Sequence, residues 1–328
     1  MRILYMSPSD SAQQGNLLTR AMRKHLGWDA KNYVSMTSYL EYEYDWLEGK
    51  NVDEKTIEEF AKGADYFIFQ DQYVGEKSSI YKYVNNSNSC IHGLGTPLRA
   101  TLDRRLARQL RFWDLITPVP CDPTITPHLL CSAPHEALIV NTTDMDKLLQ
   151  GVEKNDEITA GCAVTEFKLP GVKIIKEQVE TMGIKFEHLV NLPWKECIKK
   201  KAEWDIVIDP SSIDTSLSMN PLEAIYSNQI AVGNYSSWCF ANHPELDRWV
   251  FSFNPDMGIY KLKFETAMEM AINAARVMRL DTKGVRKEKK MMKEFILREY
   301  GEMKSACAWS YWIQWALAGG AKAGLTRK

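Results

Sequence analysis

The chain has 328 residues, of which 45% are hydrophobic and 25% are charged, and these proportions exclude an extensively disordered protein. At roughly 100–200 residues per domain, the length predicts two domains. The formal net charge of −1 excludes recognition of a polyanion through overall charge, so such a partner would need a local basic patch.

The first half of the chain alternates short β-rich runs with segments of helical spacing. This rhythm is typical of a parallel sheet covered by helices. The polar stretch 151–157 then separates this series from a second one and is the best candidate for a linker. The predicted strands are 3–7, 32–35, 65–69, 89–92, 115–117 and 137–140, and the predicted helices are 16–26 and 54–62.

The second half repeats the alternation and then becomes purely helical after Lys261. A second parallel sheet is therefore expected, followed by a group of C-terminal helices. The predicted strands are 158–163, 184–190, 205–209, 229–233 and 249–253, and the predicted helices are 171–182, 193–201, 221–227, 264–280, 287–300 and 306–317.

The most informative segment is 205–234, in which a buried strand runs into a hydroxyl-rich loop and then a helix. Asn220 is predicted as the N-cap of that helix, with Pro221 at the first helical position and Glu223 at the third. Such a helix start offers N–H groups and a positive dipole end to a diphosphate. A carboxylate in the first turn suits ribose hydroxyls instead, while Ser212 and Ser218 line the approach.

This segment resembles the donor-binding segment of retaining GT-B glycosyltransferases of the family-4 type, in which a Leu-Glu-Ala helix precedes a strand of small residues. The resemblance implies that Glu223, next to Leu222, holds the donor ribose. The first acid of the family's pair is replaced by Thr215, and Asp214 is the acid nearest to that position. A purely structural role for Glu223, in which it complements the helix dipole, remains the alternative.

The resemblance also implies the fold: two Rossmann-like α/β domains that face each other across a cleft, with C-terminal helices crossing back to the first domain. We place an acceptor-side domain at 1–152, a donor-binding domain at 153–280 and the returning helices at 281–328. In that arrangement Trp309, Trp312 and Trp315 pack in the core or between domains. Anchoring at a membrane interface is the alternative for this tryptophan stripe.

Three further positions match basic or glycine positions of the same family. The segment after the strand 158–163 resembles the start of the family's second domain, where a basic residue pairs with the donor diphosphate. Lys168 matches that residue best, and Lys173 is the weaker match. Gly15, in the first strand–helix loop, resembles a glycine that allows close approach to donor and acceptor. The alternative for Lys168 is that it is an ordinary surface lysine, solvated by water and without a role in ligand binding.

The segment 90–99 resembles a His-Gly-Ser-Pro-Leu-Arg element of some compact members of the family. His92 would hydrogen-bond a sugar hydroxyl, and Arg99 would pair with phosphate. Together with Lys168, these residues form the expected catalytic set. The alternative for His92 is a purely structural role, in which its ring only makes hydrogen bonds within the turn.

The implied reaction is transfer of a sugar from a nucleoside diphosphate sugar, with a UDP-sugar favoured, to an acceptor hydroxyl with retention. Lysine or arginine and a helix start stabilise the leaving diphosphate, so no metal is strictly required. A noncatalytic nucleotide-binding relative and a GT-B epimerase are the alternatives.

Some compact enzymes of this type are viral and glycosylate hydroxymethylated DNA bases. DNA is therefore one candidate acceptor, and a glycan, a lipopolysaccharide or a lipid-linked acceptor is the other. A second basic stretch lies at 283–293. The arginines that would contact DNA phosphates are Arg104, Arg105, Arg108 and Arg111, although solvated helix faces explain most such runs.

The compartment is predicted from the cysteines and from hydropathy. The seven cysteines are scattered, with neither a CxxC pair nor zinc-type spacing. A reducing cytoplasm, that of the host if the protein is viral, is therefore expected. No stretch reaches the ~18–20 apolar residues that would span a bilayer.

Overall fold

The structure is a computed structural model that describes residues 1–70, 79–85, 88–92, 114–116, 138–164, 169–209, 217–235, 240–241, 243–253 and 262–318. The chain forms two compact units: the first comprises Met1–Ile139 and Tyr300–Lys328, and the second comprises Val140–Glu299. The sequence places these divisions at 152/153 and 280/281. Each unit is described by itself below.

The first unit contains a parallel sheet of six strands in the order β3-β2-β1-β4-β5-β6. This is an order found in doubly wound sheets, in which the strand order reverses beside the first strand. The reversal lies between β1 and β4. The elements are β1 (Arg2–Ser7), α1 (Gln14–Leu26), β2 (Asp29–Val34), β3 (Trp46–Leu47), α2 (Glu54–Lys62), β4 (Tyr66–Gln70), β5 (Ser89–His92) and β6 (Asp114–Ile116).

Strand β1 shows why this sheet is covered on both faces. Its side chains alternate between faces, as in any strand. Ile3 and Tyr5 pack in one apolar cluster with residues of α1, whereas Leu4 and Met6 pack in another with residues of α2. A strand buried on both faces has no polar alternation, which explains the continuous apolar run of its sequence.

The second unit contains a parallel sheet of five strands in the order β11-β10-β9-β7-β8. Counted from its own first strand, this is the other common doubly wound order, and the reversal lies between β7 and β9. The elements are α3 (Thr142–Leu148), β7 (Thr159–Val164), α4 (Leu169–Thr181), β8 (Lys185–Val190), α5 (Trp194–Ala202), β9 (Ile206–Asp209), α6 (Met219–Tyr226), β10 (Ile230–Gly233), β11 (Val250–Ser252), α7 (Phe264–Met278) and α8 (Lys283–Tyr300).

The last helix, α9 (Glu302–Leu317), belongs to the first unit and packs against α1. Glu302 at its start accepts hydrogen bonds from Arg20 at 2.7 Å and from Lys24 at 2.9 Å, both on α1. Trp309 and Trp312 are buried in the cluster that contains Ile3 and Tyr5. Two tryptophans of the stripe are therefore core residues, and the membrane-anchor alternative is wrong for them.

The parallel α/β architecture of both halves confirms the predicted fold class, while several local predictions change. The predicted strand at 137–140 is irregular over 138–140, although those residues are buried. Asn141 then caps α3, because its side chain accepts from the N–H of Asp144, and the sequence pattern missed this helix. Across the residues that the structure describes, no helix is both long and apolar enough to cross a membrane.

Candidate functional site

The start of α6 lies where the strand order of the second unit reverses. The Ser218 hydroxyl donates to Oδ2 of Asp209, the last residue of β9, at 2.8 Å. The Asn220 side-chain N–H donates to the carbonyl of Ala163, near the end of β7, at 3.3 Å. These two contacts place the helix start at the carboxyl ends of β7 and β9. That crevice is the general ligand site of doubly wound sheets.

The predicted N-cap of α6 is wrong by two residues. The helix begins at Met219, and Ser218 takes the extended N-cap conformation with φ −83° and ψ −179°. Asn220, Pro221 and Glu223 therefore stand at the second, third and fifth helical positions. Pro221 is tolerated because N–H groups of the first turn have no intrahelical acceptor. Asn220 is unsuited to capping here because its side chain is engaged elsewhere.

Glu223 points to helix α5 and forms a buried ion pair. The residue is 6% exposed, and its Oε2 accepts from Lys201 Nζ at 2.6 Å. Its Oε1 accepts from Trp194 Nε1 at 2.9 Å. Lys201 also donates to Asn220 Oδ1 at 2.9 Å, so one ammonium group joins the two residues of α6.

The ion pair keeps Lys201 charged in spite of its burial. Burial alone would lower the pKa of this lysine, whose exposure is only 2%, but the carboxylate of Glu223 outweighs that effect and raises the pKa. Each oxygen of Glu223 accepts one bond from α5, and a carboxylate offers about four acceptor positions in all. Acceptor capacity is thus left for ribose hydroxyls, and the ribose role stays a prediction.

The other predicted donor-site residues fall into three groups. The side chain of Leu222 is fully buried and packs inside the second unit. Lys173 lies on α4, the helix that follows β7, and is exposed. Lys168, Ser212, Asp214 and Arg99 lie outside the described residues, as do the arginines predicted to contact DNA, Arg104, Arg105, Arg108 and Arg111.

His92 lies at the end of β5 in the first unit and is 1% exposed. Its Nδ1 is 2.7 Å from the Tyr5 hydroxyl, and the Trp309 ring packs at 5.0 Å between centroids. Burial lowers the pKa of His92 to about 3, so the imidazole is neutral at pH 7. Its Nε2 is buried without a hydrogen-bond partner in the part of the chain that the structure describes. Contact with a sugar would have to use this atom and stays a prediction.

Gly15 stands at the start of α1, beside the reversal point of the first sheet. A Cβ atom there would lie 2.5 Å from the Tyr5 ring, so the close approach that requires glycine is the packing of α1 on β1. Its N–H donates to Oδ1 of Asp10 at 2.6 Å. A role beside a ligand stays a prediction.

Asp10 is buried, at 1% exposure, in the loop between β1 and α1. Its Oδ2 accepts from the N–H of Asn16 at 2.9 Å and from Asn32 Nδ2 at 2.8 Å. Burial raises the pKa of Asp10 to about 6, against the opposing effect of these bonds. Asp10, Ala12 and Gln13 all have positive φ, which is uncommon away from glycine. Such strain is often stored at functional sites.

The sequence patterns did not point to four polar residues of these two loops and helices, namely Lys201, Trp194, Asp209 and Asp10. A signal for Lys201 does exist: Trp194, Ile198 and Lys201 recur at the spacing of one helix face, and that face is buried. A lysine on an apolar face implies a buried partner of opposite charge. Within the described ranges, no group of three or more His, Cys, Asp or Glu side chains is placed to hold a metal ion.

No protein-family model matches the sequence, and no curated protein matches it either. Solved structures do match. HepE from Anabaena in complex with UDP and glucose shares 10% identity at a TM-score of 0.55, over 96% of this chain and 99% of that one. AviGT4, a glycosyltransferase involved in avilamycin A biosynthesis, shares 12% identity at a TM-score of 0.53, over 97% and 99%.

The catalytic domain of starch synthase IV from Arabidopsis thaliana, bound to ADP and acarbose, shares 11% identity at a TM-score of 0.53. The match covers 97% of this chain and 99% of that domain. These neighbours are two-domain Rossmann-like glycosyltransferases of the GT-B class. At these identities the likeness defines the fold, and the chain has the GT-B fold.

Proposed function

We propose that this protein is a glycosyltransferase that takes its sugar from a nucleoside diphosphate sugar, with a UDP-sugar favoured. The observation that carries the proposal is the start of α6 at the reversal point of the second sheet, with Asn220, Lys201 and Glu223 joined beneath it. The crystal complexes of HepE with UDP and with UDP-glucose support the choice of nucleotide.

Each group of this network has a role in donor binding. The positive end of α6 faces the diphosphate, with Lys168 and Lys173 as further cations and Ser212 and Ser218 along the approach. Glu223 accepts the ribose hydroxyls through the acceptor positions that α5 leaves open. Lys201 and Trp194 are positioning residues that fix the carboxylate.

The chemistry we propose is retaining and does not strictly require a metal. As the bond between the anomeric carbon and the diphosphate breaks, negative charge develops on the leaving diphosphate. The helix end together with Lys168 and Arg99 stabilises that charge. The donor phosphate itself receives the acceptor proton, so no protein carboxylate acts as a base. Asp214 is the candidate for the acidic role that Thr215 leaves unfilled.

For the acceptor, we propose a hydroxymethylated DNA base, bound through Arg104, Arg105, Arg108 and Arg111, with His92 on the sugar side. Base flipping would be needed to reach a base in a duplex. A glycan, lipopolysaccharide or lipid-linked acceptor is the second candidate. A noncatalytic nucleotide-binding protein is the candidate from a different class.

Calorimetric titration with UDP and UDP-glucose tests the donor site. We expect binding to the full-length protein and a loss of about tenfold or more in Glu223→Gln, because hydrogen bonds to a charged group contribute about 1.5–3 kcal/mol. Glu196→Gln, which changes an exposed acid on α5, is the matched control and should bind normally.

Glu223→Gln leaves the Lys201 ammonium buried without its counter-charge, so the double variant Lys201→Met, Glu223→Gln is measured beside it. Circular dichroism verifies that each variant is folded. If folded Glu223→Gln binds UDP as tightly as the wild type, the ribose assignment is wrong. Release of UDP from UDP-glucose, with and without hydroxymethylated DNA, then separates an enzyme from a binding module and DNA from the other acceptors.

A further inference from the structure

A cavity of about 650 Å³ lies in the second unit, at the amino ends of the strands. Asn155 and Asp156 line it just before β7, Asp205 just before β9, and Ser227 and Asn228 just before β10. The start of α6 lies at the carboxyl ends of the same strands, so the cavity is a separate place in the unit. Its volume is within the range of small-molecule sites.

The walls of the cavity carry an excess of positive charge. Four cations and two acids line it, although the whole chain has a net charge of −1. The acid Asp205 is already neutralised, because Arg279 binds both of its oxygens at 3.0 and 2.7 Å. Lys293 has Asp146 at 3.5 Å, outside the lining. Lys154 and Lys289 are the lining cations for which the described residues provide no ion pair, and Asp156 is the remaining lining acid, so the lining still carries one positive charge in excess.

Lys154 and Lys289 are available to a ligand in different ways. Lys289 has no ion-pair or hydrogen-bond partner among the residues that the structure describes, and it is only partly exposed. Lys154 donates to the carbonyl of Trp204, which leaves two of its three N–H groups. Lys154 is exposed as a residue, yet its ammonium group is turned inward against the Trp204 carbonyl and is partly desolvated there. This desolvation, opposed by Asp205 and reinforced by Arg279 and Lys289, lowers its pKa to about 8.

Two buried amide atoms at the cavity lack partners. Nδ2 of Asn155 is a donor and Oδ1 of Asn228 is an acceptor, and neither has a hydrogen bond in the described part of the chain. Both atoms are turned away from the cavity, and because buried polar atoms are normally satisfied, rotation of either side chain toward the cavity would let a bound molecule supply the missing partner. An anion alone would satisfy only the donor. The acceptor needs a hydroxyl or an N–H group.

We propose that this cavity binds a small phosphate monoester that carries hydroxyl groups, such as a pentose phosphate. The phosphate pairs with Lys154 and Lys289. On binding, the Asn155 and Asn228 side chains turn toward the cavity, so that the phosphate accepts from the Asn155 amide and a hydroxyl donates to Asn228 Oδ1. Arg279 does not bind the ligand, since its guanidinium already donates to Asp205 and to the carbonyls of Asn155, Asp156 and Glu157. It holds this rim of the cavity in place.

Calorimetric titration of the full-length protein with ribose 5-phosphate, inorganic phosphate and ribose tests the proposal. Ribose 5-phosphate should bind most tightly, inorganic phosphate several-fold more weakly, and ribose undetectably. The double variant Lys154→Gln, Lys289→Gln should weaken ribose 5-phosphate by about tenfold or more, because two charge-assisted contacts are lost. Lys290→Gln is the matched control, since Lys290 is exposed and paired with Glu294 at 3.5 Å.

Asn228→Gly tests the hydroxyl contact without straining the chain, because Asn228 has a φ of +59° that glycine adopts readily. It should weaken ribose 5-phosphate and leave inorganic phosphate unchanged. The proposal is overturned if ribose 5-phosphate does not bind at millimolar concentration, or if Lys290→Gln loses as much affinity as the double variant. Equal affinity for ribose 5-phosphate and inorganic phosphate, or displacement by UDP, would also overturn it. None of these outcomes depends on UDP binding at α6.

Discussion

At the scale of single residues, Asp10 and Lys201 are both buried and ionisable, but the protein stabilises the neutral form of the acid and the charged form of the lysine. Lys201 has a buried counter-charge in Glu223, and its pKa is raised. Among its described partners, Asp10 accepts from three neutral N–H groups, and its pKa is also raised, to about 6, because burial outweighs those bonds. A raised pKa favours the charged form of the lysine but the neutral form of the acid.

The raised pKa of Asp10 predicts a pH-dependent stability. Below the unfolded value of 3.8 the carboxyl is protonated in both states, and the stability contribution is complete. Between pH 3.8 and about 6 the unfolded chain ionises this carboxyl while the folded protein keeps it protonated. The free energy of unfolding therefore falls by about 3 kcal/mol across this range, and the loss is complete above about 6. Urea unfolding between pH 4 and pH 7, compared with Asp10→Asn, measures this fall.

Asp10→Asn cannot ionise, so its stability should lack this part of the pH dependence. A wild-type protein that instead gains stability over the variant between pH 4 and pH 7 would mean that the three hydrogen bonds dominate burial. Reduced pH sensitivity in the variant would agree with the environment described for Asp10.

Site residues could be predicted where they lie in one continuous segment of sequence. Their partners could not be predicted where they lie on distant segments. Asn220 and Glu223 could be selected because the segment around them is continuous in sequence. Their partner Lys201 lies on another helix, 22 residues before Glu223. The Tyr5 hydroxyl and His92 are 87 residues apart, and no sequence period links positions on different strands.

At the scale of elements, helix α9 shows how tertiary packing determines the role of a pattern. The sequence predicts a helix over 306–317, and the structure extends it back to Glu302, whose carboxylate binds α1. From the sequence, its tryptophan stripe is expected in the core or between domains, with a membrane interface as the alternative. Only the cluster formed with Tyr5 and Leu17 assigns Trp309 to the core of the first unit.

Trp309→Ala should lower the free energy of unfolding by about 3–5 kcal/mol, because it empties a fully buried site. Tyr311→Ala, on the same helix but 76% exposed, should change it by no more than about 0.5 kcal/mol. Chemical denaturation followed by circular dichroism compares the two. Similar losses in both variants would contradict the placement of α9.

Element boundaries were harder to predict than elements. The N-cap of α6 was predicted two residues too late, because serine and asparagine are both good N-caps. Ser218 takes that position because the Asn220 side chain is bound to Lys201 and to the Ala163 carbonyl. Strand β3 has only two residues, too few for any period to emerge. The alternation of strands and helices was nevertheless sufficient for the fold class.

At the scale of the whole molecule, the two units should respond differently to nucleotide. A ligand at about 100 times its dissociation constant stabilises the state that binds it by about 2.7 kcal/mol. We therefore expect UDP to slow amide hydrogen exchange most strongly within Val140–Glu299. Exchange monitored by mass spectrometry measures this. Protection confined to Met1–Ile139 would place the nucleotide elsewhere.

The first unit is built from both ends of the chain, since α9 completes the core that β1 and α1 begin. On the ribosome, the apolar face of α1 is synthesised about 280 residues before the tryptophans that cover it. At ~5–20 residues per second, the delay between the two is roughly 15–60 seconds. The second unit emerges whole in that interval. Nascent chains should therefore complete the second unit before the first, because the core of the first unit lacks the tryptophans of α9 until that helix has been synthesised.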